Sequence, residues 1–348
     1  MKRKLALILM MALILGLMVG CGSKDPSTSG SSDGAYTAEW KFAHNESENG
    51  TMQIYAAKFK ELVETKSNGN ITVSIYPDGT LGAGDSIIEL LQGGGLEFAL
   101  ADSGYIGSFV PESQLFRVHF LLTDDMDINN KLLNGEAMNM LNEKFSENGM
   151  DVIQHFQAGA VYWTGNKAFR TIDDFKNVKM RTVPTPILIA QYDAYGATPT
   201  TVNYSELYSA LQLGLADAQE NPISTVEELT LTDVQSTLTL SGHYTFIDTC
   251  VVNSTFYASL PDDVKAMLDE VFAEVGGYAE EAIKEYEDGL LQKIIDNNLM
   301  EVVELTAEEK EAFRVFNEGN REILRESLGD SGMEILYAIE AEKAEYLK

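Results

Sequence analysis

Cysteine is nearly missing from this 348-residue chain, which carries only Cys21 and Cys250. Histidine is as sparse: His44, His119, His155 and His243 lie far apart, with no HExxH run and no Cys/His cluster, so no metal site is expected. Positive charge is short as well. Lys and Arg total 25 against 54 acidic residues, a net charge of −29, and this argues against nucleic-acid partners, whose affinity is built on phosphate neutralisation. The surplus acid reads mostly as solvated faces of C-terminal helices. There is no P-loop and no GxSxG elbow. Gly82-Ala83-Gly84 opens like a dinucleotide fingerprint, but Ile87 stands where its last glycine belongs. Carboxylates are too many for a catalytic pair to stand out. The expectation is a protein that is not an enzyme and takes no cofactor.

The first twenty residues are a leader of a different kind. A basic start, Met1 to Lys4, precedes an apolar run from Leu5 to Val19, too short to span a bilayer comfortably but suited to a signal peptide (1–20). Met18-Val19-Gly20-Cys21 resembles the bacterial lipobox, which makes Cys21 the expected lipidation site. A Gly/Ser-rich tether fills 21–35. The expected address is the cell envelope, extracytoplasmic and lipid-anchored to a membrane. With Cys21 lipidated, Cys250 has nothing to pair with and is expected to be a small buried hydrophobe in the strand-like FIDTCVVN.

After the tether the pattern alternates between strand and helix, which is the mark of an α/β fold. Strands are expected at 39–44, 71–76, 98–101, 152–157 and 245–253, and helices at 51–66, around 87–91 and over 127–148. Ser259-Leu-Pro-Asp262 reads as the capped start of a very long helix reaching about Asn298. Thr306 to Glu309 fits a capping box. Lys176 to Pro222 is the richest stretch, with three strand-to-helix junctions in under fifty residues. Ligands of such sheets sit beyond the carboxyl ends of the strands. Arg181 stands at one such end, ahead of Thr182-Val183-Pro184, and suits a bidentate grip on a carboxylate. Asn221, before Pro222, reads as a helix N-cap whose side-chain NH2 stays free for a ligand. Trp163, Tyr162 and Tyr204 are candidate cleft walls, although aromatics at such spacing more often belong to a core.

NVKMRTVPTP, GATPTTVNYSELYSALQLGLADAQENP, YPDGTLGAGDSIIELLQGGGLEFALADSGYIG and SLPDDV together resemble the solute-binding proteins of tripartite ATP-independent periplasmic (TRAP) transporters, of the dicarboxylate-binding type. The likeness runs from about Trp40 to about Leu324. It implies a two-lobed, periplasmic-binding-protein-like α/β fold with a hinge: lobe I from 36–157 plus 247–285, lobe II from 158–246 plus 300–348, and a spanning helix over 261–298. It also implies a monomer that hands a small carboxylate ligand to a paired small and large membrane subunit. The family's carboxylate-gripping arginine falls on Arg181, its cleft asparagine on Asn221, its aromatic wall on Tyr204 and its polar strand-end residue on Asp102, while Asn45 lies in a loop that also lines the cleft. A second arginine found in several relatives has no counterpart here, where Val161 is nearest. A second anionic group on the ligand is therefore not expected, and Asp102 invites a hydroxyl or amine instead. The competing readings are a binding protein of an ABC-type importer and a ligand-presenting sensor component.

Overall fold

Strand β1 (Ala38–His44) alternates as the sequence predicts: Glu39 and Lys41 are exposed, Trp40 and Phe42 fully buried. The computed structural model describes residues 35–82 and 84–348, so the leader, Cys21 and the rest of the tether up to residue 34 lie outside the described residues. Thr37–Lys348 form one unit of contacts. The helix Thr51–Lys66 buries Met52, Tyr55, Ala56, Phe59, Leu62 and Val63, the apolar face read from its 3.6-residue spacing. Strands β2 (Ile71–Tyr76) and β3 (Phe98–Asp102) flank β1, both parallel to it.

Two strands are far longer than their apolar runs suggest. Both β4 (Met150–Gly165) and β8 (Thr237–Asn253) pair antiparallel along nearly their whole lengths, roughly 50 Å at the usual strand rise. Their sequence pattern is broken because the pairing is. Register shifts fall between Val152 and Gln154, Gln157 and Ala160, and Val161 and Trp163, and each one swaps the face that a side chain presents. Gly159 sits within the second shift at φ +104, a backbone that favours glycine.

The Lys176–Pro222 stretch does form three strands, β5 (Lys179–Thr182), β6 (Thr198–Thr201) and β7 (Gln219–Asn221). They do not share one sheet. β5 and β6 make a parallel pair, while β7 joins the large sheet, whose order is β2-β1-β3-β8-β4-β7 with β9 (Glu301–Glu304) on β8. The chain thus has two halves, tied by β4 and β8.

The long helix, Asp262–Asp296, ties them again. Its Phe272 stacks on Phe59 at 5.7 Å, and its far end puts Ile294 among Leu207, Ile223 and Leu238. Ser259 does not cap it: Ser259 ends the preceding helix and its hydroxyl donates to Phe256 O, leaving Pro261 at the N-cap. The capping box of Thr306 and Glu309 forms as expected. The region 127–148 is two helices, Met126–Leu133 and Glu136–Glu147, parted at Gly135. The placing of 300–348 in one lobe needs correction. Phe313 packs with Trp163 and Phe175 in the second half, but Leu328, Met333, Leu336 and Ile339 bury themselves against the first half's core with Leu141 and Val251. The closing segment, Arg325–Tyr346, is helical on both sides of Gly329, whose φ of +66 breaks the run. Cys250 is fully buried, and burial pushes its thiol up to about 12. No described helix is long and apolar enough to cross a membrane.

Candidate functional site

The carboxyl ends of β1, β3, β5, β6 and β7 converge on one cavity of about 410 Å³. β1 delivers Asn45 and Glu46, β3 Asp102, β5 Arg181, β6 Tyr204 and β7 Glu220 with Asn221. Five expected residues, Arg181, Asn221, Tyr204, Asp102 and Asn45, are brought together here. Trp163 is not. It is fully buried in the core, stacks on His243 at 4.4 Å and donates its indole N–H to Tyr192 OH at 2.8 Å. The register shift between Val161 and Trp163 turns it inward, while Tyr162 faces a second cavity of about 570 Å³ beside the long helix.

Arg181 is 2% exposed, and its Nε and Nη2 both donate to Val202 O, at 3.0 and 2.8 Å. One edge of the guanidinium is thereby pinned, and among the described residues no group engages Nη1. A solute oxygen would meet the Nη1 end, not the Nε edge. Burial brings the guanidinium down to about 10, against the opposing pull of Glu220, so it stays charged at neutral pH.

Asn221 departs from its expected role. Pro222 is the N-cap of the helix Ile223–Glu228, and the Asn221 amide gives one N–H to Gln219 Oε1, leaving its oxygen and its second N–H for a solute. Glu287 of the long helix takes over the capping, accepting from Ile223 N at 2.8 Å and Ser224 N at 3.0 Å. Asn45 likewise shows a bare Oδ1 while its NH2 donates to Gly84 O at 3.3 Å. Tyr204 donates to Glu228 at 3.1 Å.

The cavity also holds residues that no local pattern singles out. Arg117 ends the 3₁₀ turn Pro111–Arg117, is 5% exposed, and reaches both oxygens of Asp102 through Nη2 at 2.5 Å. Glu220, from the QENP motif, accepts from Tyr244 OH at 3.1 Å, His243 Nε2 at 2.9 Å and Tyr192 OH. Burial raises the Glu220 carboxyl, but the hydrogen bond from His243 and the His119 imidazole, 3.8 Å away, outweigh it and hold the group below the usual carboxylate range. Burial pushes both imidazoles down, His243 to about 4. His119, Glu220 and His243 place their donor atoms within 4.8 Å of one another, a set whose spacing in sequence reveals nothing. Their contacts are those of shared protons: Ser241 holds His243 Nδ1 at 2.7 Å and Tyr195 holds His119 Nδ1 at 2.9 Å. Glu46 accepts from Met52 N at 2.7 Å, and burial, with Glu228 and Asp102 adding to it, pushes its carboxyl up to about 7.

A cavity at the carboxyl ends of strands from both halves, floored by a pinned arginine, is the architecture of a solute receptor. Residues 42–329 match the bacterial extracellular solute-binding proteins, family 7. The chain belongs to that family. As a family 7 protein it is a solute-binding component of TRAP transporters, two-lobed and bridged by a long helix. It is 32% identical to the ectoine-binding periplasmic protein TeaA of Halomonas elongata over 90% of this chain and 92% of that one. The structure of the ectoine-binding protein of the TeaABC TRAP transporter superposes with a TM-score of 0.81 at 31% identity, covering 88% of this chain and 99% of that chain. The C4-dicarboxylate-binding periplasmic protein DctP of Rhodobacter capsulatus is 32% identical over 88% of this chain and 91% of its own.

Proposed function

We propose that this family 7 protein captures a small organic acid with a single carboxylate, whose other end is neutral or cationic. Arg181 takes the carboxylate at Nη1, Asn221 and Asn45 offer carbonyl oxygens to N–H or O–H groups, and Tyr204 walls the cleft. One observation carries this reading. The buried charge of Arg117 is already met by Asp102, whereas the side chain of Arg181 bonds only the Val202 carbonyl and no described group reaches its Nη1. A second carboxylate would stay unpaired in a buried site. The relatives named for ectoine and for C4-dicarboxylates bracket the choice, and the charge balance favours a zwitterion such as ectoine. The two halves would close on the solute about the β4/β8 register shift near Gln157 and Phe246. The protein would act as a monomer, tethered outside the cytoplasm through a lipid on Cys21, and deliver its solute to the small and large TRAP membrane subunits without catalysis. Mass spectrometry of the solute that co-purifies, followed by calorimetry with it, tests the proposal. A retained solute without a carboxylate would refute it.

A further inference from the structure

Arg117 has no counterpart among the residues expected to grip a solute, yet it lines the same cavity as Arg181. Its guanidinium is held on three sides. Nη2 lies on Asp102, Nη1 donates to Tyr244 OH at 3.3 Å, and the flat face rests 5.4 Å from the centre of the Phe246 ring. Among the described residues its Nε is buried with no partner, and the neighbouring Thr185 hydroxyl, which also lines the cavity, has none either. Asp102 is fixed in turn: Oδ1 accepts the Gly104 N–H at 2.5 Å, and a Cβ at Gly104 would come within 2.7 Å of that oxygen. The carboxylate that neutralises Arg117 is thus built into the strand end.

We propose that Arg117 is a latent second carboxylate site kept shut by Asp102, and that this pair sets the solute class by refusing dicarboxylates. Asp102 occupies Arg117 as a ligand carboxylate would, but as part of the chain it gives up no translational freedom in doing so. A dicarboxylic acid must either displace it, stranding the Asp102 charge, or leave its own second charge unpaired. A monocarboxylic acid with an amide, hydroxyl or cationic end meets neither obstacle. The inference rests on the reading that Arg181 grips a carboxylate.

The test uses calorimetry on the folded protein with matched probes differing by one charge, succinate and succinamate, and the glutarate pair beside them. The wild type binds the monoamides at least about tenfold more tightly than the diacids. Asp102→Asn, which keeps an oxygen for Gly104 N–H, raises diacid affinity by about tenfold or more, and Arg117→Met added to it abolishes the gain. Asp102→Ser repeats the test should the Asn variant fold poorly. Unchanged diacid affinity in both Asp102 variants, or a gain that survives Arg117→Met, overturns the inference. Arg181→Ala separates the two readings. Monoamide binding that persists in it defeats the carboxylate grip itself, whereas loss there with no diacid gain in the Asp102 variants defeats only the masking of Arg117.

Discussion

Glu287, in the last third of the long helix, holds the backbone N–H groups of Ile223 and Ser224 in one carboxylate, at 2.8 and 3.0 Å. Those two amides directly follow Asn221-Pro222 of the solute cavity, so the helix that touches both halves also fixes one wall of the site. Glu287→Gln keeps one acceptor and loses the other, leaving an amide N–H₂ facing a backbone donor. A stability loss of about 1–3 kcal/mol is expected, with a several-fold weaker solute affinity. Urea unfolding and calorimetry measure the two. Unchanged values for both would show that the clamp has no role.

Arg181 carries the charge grip. Truncating one partner of a closed ion pair costs about 3–5 kcal/mol, a hundred- to several-thousand-fold in Kd, so Arg181→Ala should bind that much more weakly. Lys cannot reproduce a guanidinium pinned by two bonds to Val202 O and restores only part. Calorimetry on both variants is the check, and wild-type affinity in Arg181→Ala would remove the residue from the site.

Asp248 is fully buried and neither of its oxygens has a hydrogen-bond partner. Burial pushes its carboxyl well above the ordinary value, with Glu46 and Asp102 adding to the effect. The sign follows from linkage. A carboxyl raised in the fold keeps its proton while the unfolded chain gives it up. Its contribution is therefore full below the unfolded value, and is lost as pH rises toward the folded one. Compared with Asp248→Asn, the wild type should lose about 1.4 kcal/mol for each pH unit above roughly 4 until the folded value is reached. Denaturation of both proteins between pH 4 and 8 gives the difference. A flat difference would mean that Asp248 is ionised and balanced in the fold.

The lipid anchor is tested outside the fold. Cys21→Ser should send the protein from the membrane to the soluble fraction, because the apolar run ending at Val19 is then removed as a plain leader with no lipid in its place. Membrane retention with unchanged processing would exclude Cys21 as the attachment point.

How much of this was legible in the sequence depended on how local the signal was. β1, the helix Thr51–Lys66 and the Thr306 capping box announced themselves because their periodicity or cap lies within a few residues. Arg181 could be picked out because a strand end followed by Val183-Pro184 is a local mark. Arg117 could not: its importance comes from Asp102, fifteen positions earlier, and Tyr244, far later. Glu220 was visible only as part of QENP, since its partners Tyr192, His243 and Tyr244 lie far from it in the chain. Trp163 and Asn221 were misjudged for one reason. A register shift decides where the Trp163 ring points, and a carboxylate from a distant helix takes the capping that Asn221 was expected to supply; neither is written beside them.

Glu46 offers the sharpest reading of the solute's second end. Its carboxyl, lifted to about 7 chiefly by burial, is half-protonated near neutral pH and lines the cavity that Arg181 floors. A solute carrying a positive group beside it favours the ionised form, lowers that value and releases a proton on binding. Its affinity should then rise as pH climbs through about 7, by up to about tenfold per unit, and level off above. A purely anionic or neutral-tailed acid does the reverse, because added negative charge raises the carboxyl further and takes up a proton. Titration calorimetry in two buffers of different ionisation heat counts the protons directly, and Glu46→Gln should bring the count near zero. Proton release identifies a zwitterionic solute, and uptake identifies one without a cation. A count that survives in Glu46→Gln would place the titrating group elsewhere, with the raised Asp248 carboxyl the first candidate.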